Sequence, residues 1–155
     1  MPNQLKLCSW NIQGLHSKEL GNRLHDAEVQ KNLSKFDIVS LLETYGSEGT
    51  HIELEHYTST SVFRPRHRNA KRSSGGITVL IKNKFVKGIK VLQSKALPHD
   101  MLWLKLCHNF FKFYQRSDMY IGVVYRSPEN SSYTLRMDAD VFQNLENEVA
   151  RYAAL

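Results

Sequence analysis

Apolar residues in this chain fall mostly into short runs of strand length, interrupted by two stretches with helical spacing. Residues 5–12 predict a strand that ends in a turn at Gly14. Over 17–35, Leu20, Leu24, Ala27 and, less regularly, Leu33 recur as on one face of a helix packed against a sheet. Residues 36–42 form a nearly continuous apolar run, the pattern of a strand buried on both faces. From Ser47 to Ser74 the pattern weakens and predicts no clear element. Gly75-Gly76 then opens Ile77-Thr78-Val79-Leu80-Ile81, rich in β-branched residues that suit a pleated surface. Further strands are predicted at 85–92, 102–108 and 118–125. Asp138 is placed as the N-cap of a last helix whose apolar face is Val141, Leu145, Val149 and Tyr152. A βαβ unit, several adjacent strands and a closing helix predict an α/β fold with mixed sheets covered by helices.

Composition narrows the class. At 155 residues, 41% of them hydrophobic, the chain suits one domain with a real core. Its formal charge of +6 favours polyanionic partners without separating nucleic acid from an acidic membrane surface. Cys8 and Cys107 sit in strand-like runs with no CxxC spacing, which predicts two buried thiols in a reducing compartment and argues against a disulfide framework or a zinc site. No apolar run approaches membrane-spanning length, and residues 1–15 lack the basic-then-apolar pattern of a secretory signal. The expectation is an intracellular, soluble chain with no membrane partner and no obligate protein partner.

Three positions carry candidate chemistry. Asn11 and Glu43 end the first and second predicted strands, and parallel pairing would bring them to one mouth of the sheet, where α/β folds bind ligands. An amide beside a carboxylate there suits a hard cation and a phosphate. Taken singly, Asn11 also reads as a turn residue and Glu43 as a cap or a partner for a surface lysine. Tyr125 closes another apolar strand, where a phenol can stabilise developing charge or simply pack. Arg126 reads equally as a phosphate contact or a solvated strand end. The run Arg64-Pro65-Arg66-His67-Arg68-Asn69-Ala70-Lys71-Arg72 carries five fixed positive charges and no acid. It reads as a solvated loop, or as phosphate contacts flanking a cut by Arg64, Arg66, Arg68, Lys71 and Arg72. Phe110-Phe111-Lys112-Phe113-Tyr114 invites a base-stacking reading, but a hairpin tip or partly buried cluster is the expectation.

Five motifs, in order, carry a resemblance: Ser9-Trp10-Asn11-Ile12-Gln13-Gly14-Leu15; Leu42-Glu43-Thr44; Ser74-Gly75-Gly76-Ile77 through Lys82; Leu102-Trp103-Leu104-Lys105-Leu106; and Val124-Tyr125-Arg126-Ser127-Pro128. Together they resemble the endonuclease/exonuclease/phosphatase superfamily. Within it the chain most resembles the N-terminal endonuclease of non-long-terminal-repeat (LINE-type) retrotransposons. The resemblance implies a four-layer α/β sandwich that hydrolyses phosphodiesters in DNA with Mg²⁺, for which Mn²⁺ can substitute. It assigns Glu43 as metal ligand, Asn11 as orienting the metal or the scissile phosphate, and Tyr125 as touching the phosphate near the transition state. Residence in the nucleus follows if genomic DNA is the substrate.

The superfamily pattern continues with a Gly-Asp-x-Asn strand and a closing Asp-His pair, and neither follows Tyr125 in these 155 residues. The chain is therefore expected to represent the N-terminal part of one domain, residues 1–155, C-terminally incomplete. It is expected to be weakly active or inactive and only marginally stable. Two other functions stay open beside the nuclease: a non-catalytic nucleic-acid-binding remnant, and a phosphatase acting on a phosphorylated small molecule. A decayed fragment with no selected function is a further possibility.

Overall fold

The computed structural model describes residues 4–19, 21–112, 117–128, 131 and 140–154. Leu20, Phe113, Tyr114 and Asp138, all named from the sequence, lie outside the described residues. The strands are β1 (Leu7–Asn11), β2 (His16–Ser17), β3 (Gly21–Asn22), β4 (Ile38–Leu42), β5 (Tyr57–Val62), β6 (Ile77–Lys82), β7 (Ile89–Gln93), β8 (Met101–Leu106) and β9 (Met119–Val124). The helices are α1 (Ala27–Leu33), α2 (His108–Phe111) and α3 (Val141–Ala153).

Two sheets form the centre. The first has the order β1-β4-β6-β5, with β1 and β4 parallel and the other pairs antiparallel. The second is an antiparallel β7-β8-β9 sheet. Strand alternation then decides which side chains meet, because successive residues point to opposite faces. Ile77, Val79 and Ile81 of β6 and Leu102, Leu104 and Leu106 of β8 share one core between the sheets. Val39, Leu41 and Leu80 turn the other way and bury against Leu24 and Leu33, which lie in and before α1. Met101 and Trp103 turn outward from the second sheet toward Val141, Leu145 and Tyr152 of α3. The result is four layers, helix, sheet, sheet, helix, as the resemblance implied. Strands of this kind are apolar on both faces, which is why their sequences read as unbroken runs.

The sequence and the structure part in several places. The helix expected over 17–35 is confined to α1, and β2 and β3 pair antiparallel before it, His16 opposite Asn22 and Ser17 opposite Gly21. Two side chains interrupt the helical register: Asn22 Oδ1 accepts the Leu24 N–H at 3.0 Å, and Asp26 Oδ1 accepts those of Glu28 and Val29 at 2.8 and 3.0 Å. Such local bonds compete with continuous helix and start a new one. Leu24 and Leu33 still reach the core, so the spacing reported burial correctly and helix only in part. The weakly patterned 47–74 stretch contains β5, a polar edge strand. Residues 83–88 make a 3₁₀ turn before β7, and β8 stops at Leu106, where the chain enters α2. Phe110 and Phe111 of α2 are half-buried against the inter-sheet core.

The last helix is capped by Asp140, whose Oδ1 accepts from the Phe142 and Gln143 N–H groups at 2.9 and 3.3 Å. Its buried face is rotated from the expected one. Val149 is 48% exposed, while Glu148 is 5% exposed. Glu148 accepts hydrogen bonds from Ser94 Oγ (2.8 Å), the Lys95 and Ala96 N–H groups, and Trp103 Nε1. Burial would raise its pKa, but these bonds outweigh burial and hold it below the usual carboxylate value. A carboxylate thus fastens α3 to the second sheet where an apolar residue was expected. Cys8 and Cys107 are free and half-buried, and burial pushes the Cys8 thiol up. Among the described residues, no helix is long and apolar enough to cross a membrane.

Candidate active site at the ends of three strands

The register of the first sheet sets Asn11 beside Leu42 and Leu42 beside Ile77, so β1 and β4 end where β6 begins. Beyond the ladder the backbones remain joined. Ile12 N–H donates to Leu42 O at 2.9 Å, Gly14 N–H to Glu43 O at 2.7 Å, and Tyr45 N–H to Gly75 O at 2.9 Å. Gln13, Glu43 and Tyr45 all adopt left-handed backbone, with φ of 51°, 55° and 54°. Each such conformation costs on the order of 1–2 kcal/mol for a side-chain-bearing residue. Three within one mouth show that packing holds this segment in a shape the chain would not choose alone. Gly14 makes the bend possible: at φ 95° a Cβ there would sit 2.9 Å from the Tyr45 ring.

Glu43 lies at the centre. Its Oε1 accepts the Tyr125 hydroxyl at 2.6 Å and its Oε2 accepts the Tyr45 hydroxyl at 3.0 Å. Asn11 also bonds the carboxylate, while Asn11 Oδ1 takes the Gln13 N–H at 3.1 Å. Partial burial opposes ionisation of Glu43, but the bonds from Tyr125, Tyr45 and Asn11, with the nearby Arg64 charge, prevail and lower its pKa. The same contacts act in reverse on the phenols. Burial, then the Glu43 carboxylate, pushes Tyr125 up to about 12, and Tyr45 is raised for the same reasons. At neutral pH the cluster is one carboxylate anion gripped by two neutral phenols and an amide.

The structure brings Asn11, Glu43 and Tyr125 together, from two strands of one sheet and the end of a strand in the other. It distributes the basic residues differently from the sequence reading. Arg64 is not a solvated phosphate contact: it is 4% exposed, its Nε meets Asp100 Oδ1 at 2.6 Å, and its Nη1 donates to Ser127 Oγ at 2.7 Å. Arg66, Arg68, Lys71 and Arg72 are exposed. Arg66 also braces its own loop through the carbonyls of Ala70 and Lys71, and Arg72 stacks 4.8 Å over the Tyr45 ring. Arg126 stacks 4.5 Å over Phe142 of α3, in the outer layer, whereas Tyr125 turns inward to Glu43.

Sequence reasoning missed Tyr45, because Glu43 and Tyr45 meet through left-handed backbone that no apolar periodicity marks. It also missed Asp100 and Ser127, for which no local pattern exists. A hard cation is matched in kind by the donors here, which are all oxygens and include one ionised carboxylate. Among the described residues, no group of three or more His, Cys, Asp or Glu gathers to hold a metal. Glu43, with the Asn11 amide beside it, therefore fits as part of a shell otherwise made of water and phosphate oxygens, as is usual for Mg²⁺.

A model of the endonuclease/exonuclease/phosphatase family matches residues 8–151. No curated protein matches the chain. Members of that family are generally hydrolases acting on phosphoester bonds. With these four layers and this match over nearly all its length, the chain belongs to the endonuclease/exonuclease/phosphatase family.

Proposed function

We propose that this chain carries the Glu43 side of a divalent-metal-dependent DNA endonuclease of the retrotransposon type, acting on DNA in the nucleus. One observation carries the reading: an ionised Glu43 held at the strand ends by Asn11, Tyr45 and Tyr125. Bound Mg²⁺, or Mn²⁺ in its place, would supply Lewis-acid stabilisation of charge on the scissile phosphate. Glu43 would hold the ion, and Asn11 would keep the carboxylate aimed. Tyr125 has a proton to donate throughout the neutral range and would turn its hydroxyl to a phosphate oxygen as charge grows there. Exposed Arg66, Arg68, Lys71 and Arg72 would contact phosphates on either side of the cut, fixing register without reading sequence.

Nicking of supercoiled plasmid tests this. Cleavage by the chain should require Mg²⁺ or Mn²⁺, stop with chelator, and fall at least about a hundredfold in Glu43→Ala. Nicking that survives Glu43→Ala would remove the metal role of this residue.

A second reading, a non-catalytic nucleic-acid-binding domain, is favoured by one observation: a single carboxylate at the site, with no metal-holding group of three among the described residues. It predicts salt-dependent DNA binding through the exposed arginines and lysine, indifferent to metal and to Glu43→Ala.

A further inference from the structure

We propose that Arg64 is a positioning residue for Tyr125, a buried guanidinium that holds the phenol in place against Glu43. The inference rests on the reading of Glu43 and Tyr125 as catalytic. Arg64 follows β5 in the first sheet, whereas Tyr125 follows β9 in the second. The guanidinium lies 5.0 Å from the Tyr125 ring centroid, so one face of the phenol rests on it. Its other contacts surround Tyr125 along the chain. Nη1 reaches Ser127, two residues beyond, and Nε reaches Asp100, whose backbone carbonyl accepts the Tyr125 N–H at 2.9 Å. Ser127 and Asp100 are themselves 7% and 3% exposed. The backbone of Tyr125, its ring and its downstream neighbour are thus tied to one guanidinium–carboxylate pair.

Room for this brace is built into the opposite loop. At Gly75, with φ 65°, a Cβ would lie 2.8 Å from Arg64 Nε. A buried ion pair is a poor device for stability, because desolvation of both charges offsets their attraction and apolar replacements often do as well. What it provides is direction. The planar fork sets the angle between Asp100, Ser127 and the stacked ring, which a lysine cannot reproduce. The pair sits where the two sheets must be aligned for Tyr125 to meet Glu43.

The test compares Arg64→Lys with Tyr125→Phe and the double variant, with Asp100→Asn as a second way to release the guanidinium if Arg64→Lys does not fold. In Mg²⁺-dependent plasmid nicking, Arg64→Lys should lower kcat roughly 10- to 100-fold, as loss of a supporting residue does, with KM changed less than about threefold. In the Tyr125→Phe background it should cost less than about twofold more, because the two act as a unit. Equal losses in both backgrounds would overturn the proposal. Carbon-13 NMR of labelled tyrosines supplies a readout free of activity. Arg64→Lys should move the Tyr125 signal, assigned from Tyr125→Phe, and leave that of Tyr57, whose hydroxyl donates to the Leu33 and Phe36 carbonyls. An unmoved Tyr125 signal overturns the proposal. If the wild-type chain cleaves nothing in Mg²⁺ or Mn²⁺, as expected of a weakly active or inactive chain, the NMR comparison alone decides whether Arg64 holds Tyr125.

Discussion

Tyr125 donates its hydroxyl to Glu43 at 2.6 Å across 82 positions of chain, joining the end of a strand in one sheet to the end of a strand in the other. Neither residue could be placed against the other by local spacing. Their meeting depends on the two sheets stacking through Ile77, Val79, Leu102 and Leu104 in one register. Packing in the core therefore sets the distance at the site, and interiors packed this tightly transmit even small changes in volume.

Tyr45 supports Glu43 from its other oxygen. Tyr45→Phe removes that hydrogen bond while keeping the ring beneath Arg72. We expect metal affinity or metal-dependent cleavage to fall roughly 10-fold, at the low end for an outer-shell partner. Mn²⁺ titration followed by electron paramagnetic resonance measures this directly. Unchanged affinity and unchanged cleavage would mean that Tyr125 and Asn11 hold the carboxylate without help.

The exposed part of the basic loop should act through phosphates alone. Neutralising Arg66, Arg68 and Lys71 to glutamine should weaken DNA binding similarly for all sequences. It should also flatten log K against log salt by up to about 0.9 per lost phosphate contact. Fluorescence anisotropy at several salt concentrations reads both. A salt slope identical to wild type would place the DNA on another face.

Glu148 makes the docking of α3 sensitive to acid. Its pKa is lower folded than the ordinary 4.5. The unfolded chain therefore binds a proton first as pH falls, and the stabilisation present above about 4.5 is lost as pH drops through the folded value. Glu148→Gln should cost about 1–3 kcal/mol at neutral pH, because an amide meets donors from Ser94, Lys95, Ala96 and Trp103 with fewer acceptors. It should also flatten the acid limb of stability against pH. Thermal unfolding of both proteins between pH 3 and pH 7 checks the sign; parallel curves would contradict it.

The strands were legible in the sequence because burial on both faces writes an unbroken apolar run. Runs at 36–42, 77–81 and 102–108 correspond to β4, β6 and β8. Glu43 was legible as the polar residue closing such a run and Asn11 as the polar end of the strand expected over 5–12, and parallel pairing of β1 with β4 brought them to one end. The helix at 17–35 was misread because apolar spacing records which side chains are buried, not the backbone that delivers them. Asn22 and Asp26 redirected that backbone with hydrogen bonds of a few residues' reach.

Sequence by itself determined most of the strands and the mixed α/β class, since alternation and periodicity are local properties of a chain that must hide its apolar faces, while the four layers were implied by the resemblance. Tertiary structure alone decided the electrostatics of the site. Arg64 stands in a run of cations that looks solvated, yet it is buried on Asp100, 36 positions away. Glu148 occupies a helix face expected to be apolar, yet it anchors a turn 54 positions back at Ser94. A charge can be buried only where partners converge on it from distant parts of the chain. That convergence exists only once the sheets and helices have packed.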